Sequence, residues 1–93
     1  MRSAISISEI SYEPAPDGLR STGLIGFVRV LVNDGLVVDG ITIRELRDGG
    51  VSVSWPRRNG GGGTHRLVYP LSPVRAELEG EILARLRAKG ALP

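Results

Sequence analysis

The sequence contains no cysteine and one histidine in its 93 residues. No disulfide can staple this chain, and no thiolate is present to ligate a metal. A single imidazole does not make a structural zinc site. Aromatic residues are only 4% of the chain. No apolar stretch approaches the length needed to cross a bilayer. Residues 1–12 alternate apolar with Ser and Glu, and lack the continuous apolar core of a signal peptide. These features lead to the expectation of a cytoplasmic protein. The net charge is only +2, too weak to imply a strong global attraction to polyanions, so any such ligand must be argued from where the charges sit.

What remains is ordinary for a folded domain: 41% hydrophobic and 24% charged residues. The length fits one domain, residues 1–93, with a thin core. Without disulfide or metal, oligomerisation is the remaining common device for stabilising so small a unit.

Turn residues divide the chain into five extended runs and one helix. In residues 3–12, Ile5 and Ile7 alternate with Ser6 and Ser8, the period of a strand with one buried face. Residues 13–18 break it. Residues 23–32 are apolar on both faces, which predicts a central strand with Phe27 in the core. Asn33-Asp34-Gly35 signals a hairpin, because these residue types tolerate positive φ. Residues 36–46 form a third run, with Gly40 predicted to mark a bulge or bend. Val51, Val53 and Trp55 alternate with Ser52 and Ser54 until Pro56 ends the fourth run. A loop over residues 57–63 and a fifth run over residues 64–69 follow.

The last element is helical. Ser72 is placed as N-cap and Pro73 at the first helical position. Val74, Leu78, Ile82 and Leu86 recur every four residues as one stripe, with Leu83 beside it. Gly90 is placed as the C-terminal cap. Gly80 either permits close packing on the sheet or marks a slight break. The pattern predicts an α+β fold: a small, mostly antiparallel sheet of about five strands with one C-terminal helix packed on it. Its exposed edges favour a homodimer formed through strand edges.

No acidic residue lies between Val51 and Ser72, while Arg57, Arg58 and Arg66 are all basic. If the flanking runs form a hairpin, these three arginines lie near one another at its open end. The guanidinium fork suits phosphate oxygens and stacks on bases. A solvated hairpin is the plainer alternative. The four glycines at 60–63 are not a P-loop, since no Lys-Ser/Thr and no helix follow. Arg85, Arg87 and Lys89 either complement the helix dipole or supply a second phosphate-contact surface. His65 has only Thr64 and arginines near it and no carboxylate in its segment to orient it, and is read as a surface or ligand contact. Nothing assembles a catalytic set, and no cofactor or metal is expected.

Several stretches together resemble the SpoVG family (stage V sporulation protein G, the septation proteins). They are residues 36–43 (LVVDGITI), residues 53–58 (VSWPRR), residues 65–71 (HRLVYPL) and the helix carrying Ile82-Leu83, in the family's order and spacing. The resemblance spans residues 26–90. It implies a small bacterial cytoplasmic homodimer that binds DNA, and in some members RNA, with a role tied to septation, sporulation or gene regulation. The family's basic pair after the proline corresponds to Arg57 and Arg58. Its basic residue opening the return strand corresponds to His65 or Arg66. The Ser/Glu-rich first strand and the all-glycine loop depart from the family pattern. The alternative reading is a protein-interaction module of the division or regulatory machinery that does not bind nucleic acid directly.

Overall fold

A computed structural model describes residues 5–92 of the chain. The order of elements is β1 (Ile7–Pro14), α1 (Asp17–Arg20), β2 (Leu24–Val32), β3 (Leu36–Glu45), β4 (Val51–Ser54), β5 (Arg57–Gly60), β6 (Gly63–Arg66) and α2 (Val74–Ala88). Strands β1 to β4 make one antiparallel sheet in sequence order, and β5 and β6 make a separate antiparallel ribbon. The α+β class with one C-terminal helix agrees with the sequence pattern. Among the described residues the main sheet has four strands, because the expected fifth run stops at Arg66 and pairs only with β5.

The central place of β2 follows from its composition. It is flanked by β1 and β3 and carries apolar side chains on both faces. Val28 and Val30 lie on the inner face with Ile41, Ile43 and Val38 of β3, and all five are buried. Leu78, Ile82 and Leu86 of α2 cover that face, as their four-residue spacing predicts, with Val74 and Leu83 packed beside them. Phe27 is a correction. It pairs with Thr42 on the opposite, outer face and is only half-buried there. A strand that is apolar on both faces gives no alternation by which to assign one residue to the covered side.

The turns are set by local chemistry. Asn33 and Asp34 adopt φ of 49° and 56°, and the Gly35 N–H donates to the Val32 carbonyl at 3.0 Å, closing β2 onto β3. The Asn33 carboxamide oxygen accepts from the Ser6 N–H at 2.8 Å, so this turn also anchors the approach to β1. Gly40 is a bulge, with φ +81° and a register shift against β2. There the Gly40 N–H and the Arg29 guanidinium hold the Asp39 carboxyl below its ordinary range.

The first strand starts later than expected and ends later, at Pro14, after a register shift between Ile7 and Glu9. Ser3 and Ala4 of the expected strand lie outside the described residues. Ile7 is buried, but Ile5 precedes the strand and is exposed. Residues 13–18 do not simply break the chain: β1 takes the first two, and a single helical turn begins at Asp17. Tyr12 lies over Gly26 of the neighbouring strand and donates its hydroxyl to the Ile25 carbonyl at 2.8 Å.

Helix α2 begins one residue later than expected. Pro73 is the cap position, and among the described residues no side chain caps the helix N-terminus. The Arg75 N–H bonds instead to the Leu71 carbonyl at 2.9 Å, so the preceding turn satisfies a donor that Ser72 was expected to take. At the other end Gly90 has φ +72°. Its N–H donates to the Arg87 carbonyl, while the Ala91 N–H donates to the Leu86 carbonyl. That pair of bonds is the Schellman arrangement, and it places the glycine where the sequence does. Gly80 produces neither of its expected effects: the helix runs through it unbroken, and it faces open space.

The helix lies across the sheet from its β4 side to its β1 edge. Glu79 receives the Trp55 indole N–H at 2.7 Å just beyond β4. At the C-terminal end, Arg85 donates to the Ile7 carbonyl at 2.7 Å and Lys89 Nζ to the Ile10 carbonyl at 3.1 Å.

Candidate nucleic-acid interface

Pro56 has no N–H to continue the β4 ladder, and the chain restarts at Arg57 as a two-stranded ribbon. The segment expected to be a loop is therefore β5 over its first four residues. The ribbon's registered pairs are Arg57 with Arg66, Arg58 with His65, Asn59 with Thr64, and Gly60 with Gly63. Every residue of both strands is exposed. The ribbon is held to the body at its base, where the Leu67 and Val68 N–H groups donate to the Pro56 carbonyl at 3.0 and 3.3 Å.

Strand alternation gives the ribbon two unlike faces. Arg57 and Arg66 share one with Asn59 and Thr64, whose hydroxyl donates to the Asn59 carboxamide oxygen at 2.9 Å. Arg58 and His65 share the other with two glycines. At the tip, Gly62 and Gly63 have φ of 140° and 136°, a backbone region that only glycine enters freely. The tip thus presents backbone alone. Among the described residues, none of Arg57, Arg58, His65 and Arg66 forms an ion pair.

The structure thus brings together four of the seven residues singled out in the sequence. The other three are elsewhere. Arg85 is bonded to Glu81 at 3.1 Å as well as to β1, and Lys89 is bonded to β1. Arg87 is exposed and, among the described residues, makes no such bond. Ten helical residues separate Arg85 from the first turn near the ribbon, about 15 Å along the axis.

Sequence reasoning passed over Arg75 and took Tyr69 as core or rim packing. The Arg66 guanidinium stacks on the Tyr69 ring at 3.9 Å from its centroid, and Arg75 approaches the same ring at 4.9 Å. Arg75 also donates to the Tyr69 hydroxyl. Trp55, Arg57, Arg66, Tyr69, Arg75 and Glu79 line one recess between the ribbon's base and the start of α2. One signal for Arg75 exists in the sequence: a cation in the first turn of a helix opposes the dipole. Arg29, by contrast, is engaged with Asp39 at 3.0 Å and is not part of this surface.

Among the described residues no group of His, Asp and Glu is arranged to hold a metal ion, and no helix is long and apolar enough to cross a membrane. Comparison with known proteins gives no match to a family model, to a curated protein or to a solved structure.

Proposed function

We propose that the chain is a non-enzymatic nucleic-acid-binding regulator that engages DNA, and RNA as a second ligand, through the β5–β6 ribbon. The observation that carries this reading is the ribbon itself. It is fully exposed, has opposed basic pairs at its base and no carboxylate on either strand, and ends in a tip without side chains. Guanidinium groups on a protruding two-stranded ribbon match phosphate oxygens, and such a ribbon fits the width of a DNA major groove. The resemblance to the SpoVG family supports the same ligand class. It agrees with the cytoplasmic location expected from the lack of cysteine and of a signal-peptide core, and it is the sole basis for the proposed link to septation, sporulation or gene regulation.

The deciding experiment is fluorescence anisotropy with short duplex DNA, single-stranded DNA and RNA, each at several salt concentrations. The expected result is micromolar or tighter binding with a logarithmic salt slope of roughly 0.9 per neutralised phosphate on duplex DNA. Replacing Arg57 and Arg58 together by Ala weakens binding by a similar factor on every sequence. A folded double variant that binds as the parent does would overturn the assignment.

A homodimer joined at strand edges belongs to the same proposal. The sheet ends at β1 and β4, and Arg85 and Lys89 already occupy two carbonyls of β1. That favours β4 as the pairing edge. Sedimentation equilibrium should give about twice the 9.9 kDa of one chain. A monomer at all concentrations would remove the dimer while leaving the ribbon reading in place.

A further inference from the structure

We infer that Arg57, Arg66 and Arg75 form a seat for a single phosphate group, with Tyr69 as its floor. The inference rests on the nucleic-acid reading and assigns one face of the ribbon a separate task.

The three guanidinium groups come from three elements, β5, β6 and α2, and line one recess. Two of them are fixed by the same ring. Arg66 stacks on Tyr69, and Arg75 meets that ring while donating to its hydroxyl. A guanidinium stacked through its face keeps its in-plane N–H groups for an oxyanion. Fixing two of the three forks in advance reduces the side-chain entropy lost when a ligand binds. Among the described residues the one carboxylate on the recess, Glu79, already accepts the Trp55 indole N–H at 2.7 Å. Neither Arg57, Arg66 nor Arg75 forms an ion pair among the described residues.

The arrangement is also electrostatically costly when empty. Arg57 and Arg66 oppose each other as a registered pair, and Arg75 stands in the first turn of α2, at the positive end of its dipole. An anion is the one partner that relieves all three placements. Phosphate fits better than a carboxylate, because three forks approaching from different elements match an oxyanion with oxygens pointing in several directions.

Trp55 is the single tryptophan of the chain and lines the recess, so its emission reports occupancy. The full chain is titrated with inorganic phosphate in a phosphate-free buffer, with chloride at matched ionic strength as control. A saturable change with phosphate and none with chloride is expected. Arg75→Gln weakens the apparent affinity at least fivefold. Arg47→Gln, an equal change of charge in the β3–β4 turn, alters it less than twofold. Tyr69→Phe keeps the ring but frees Arg75 and gives an intermediate loss; circular dichroism checks each variant for folding.

Octathymidylate with and without a 5′ phosphate separates the two sources of the group. Tighter binding of the phosphorylated strand assigns a terminal phosphate, and equal binding assigns an internal phosphodiester. No saturable change, or equal losses in Arg75→Gln and Arg47→Gln, overturns the seat; salt-sensitive binding of the oligonucleotides would then leave the ribbon reading standing. Saturable phosphate binding with no binding of either oligonucleotide supports the seat and overturns the nucleic-acid reading.

Discussion

Arg57 and Arg66 are direct partners across the β5–β6 ribbon, two like charges held opposite each other at its base. Cross-strand pairs of like charge destabilise a sheet, and this ribbon has no carboxylate to offset them. Arg66 is further committed to the Tyr69 ring, so Arg57 is the member whose removal perturbs packing least.

Arg57→Thr should therefore separate stability from binding. Threonine is well suited to a strand and removes the repulsion. The midpoint of thermal unfolding rises slightly, while affinity for duplex DNA falls and its salt slope drops by roughly 0.9 for the lost phosphate contact. Thermal denaturation and anisotropy on one preparation measure both. A lower midpoint with unchanged affinity would make Arg57 a structural residue and remove it from the interface.

Arg85 should show the reverse behaviour. Its guanidinium ties α2 to the Ile7 carbonyl and to Glu81, at the far end of the helix from the ribbon. Hydrogen bonds to charged groups contribute about 1.5–3 kcal/mol when buried, and this one is about a third exposed, so a loss of about 1 kcal/mol is appropriate. Urea unfolding of Arg85→Ala should give that decrease, with nucleic-acid affinity within twofold of the parent. A large drop in affinity at unchanged stability would restore the helix C-terminus as a binding surface.

Gly26 is required by its neighbour. A Cβ built there would overlap the edge of the Tyr12 ring, and the ring is fixed by the hydroxyl bond to Ile25. Gly26→Ala should destabilise the protein by about 1–3 kcal/mol, the usual range for overpacking. Tyr12→Ala loses packing by itself. In the double variant the clash is gone, so the two losses add to less than their sum. Strict additivity across the four proteins would mean that the ring moves aside freely.

The features legible in the sequence are those whose cause is local. Asn33-Asp34-Gly35 carries its own turn chemistry, Gly90 its own left-handed conformation, and Leu78, Ile82 and Leu86 their own helical period. The basic ribbon was legible as a concentration of arginines without acids. The rest depends on contacts between distant segments. The outward placement of Phe27 follows from which face α2 covers, and a strand apolar on both sides does not encode that. The recess is built from Arg57, Arg66, Tyr69 and Arg75, residues brought together only when the ribbon folds back at Pro56 beside the first turn of α2. Ser72 fails as a cap for a similar reason: the Leu71 carbonyl takes the Arg75 N–H first.

Gly80 offers a test of the helix itself. It lies mid-way along α2, is exposed, and among the described residues nothing beyond the local helix comes within 4 Å of the position a Cβ would occupy. Its backbone is helical, so alanine fits without strain. Glycine in a helix interior is disfavoured by about 1 kcal/mol relative to alanine, partly because the unfolded chain is freer. Gly80→Ala should therefore raise stability by about 0.5–1 kcal/mol, which for a domain of this size moves the thermal midpoint up by roughly 2–8 °C. Because Gly80 lines neither the recess nor the ribbon and its Cβ position faces open space, nucleic-acid affinity should stay unchanged. A destabilised variant would show that something covers this face of α2 in solution, such as a second copy of the chain. In that case the loss would deepen with protein concentration, since the substitution would weaken association as well as folding.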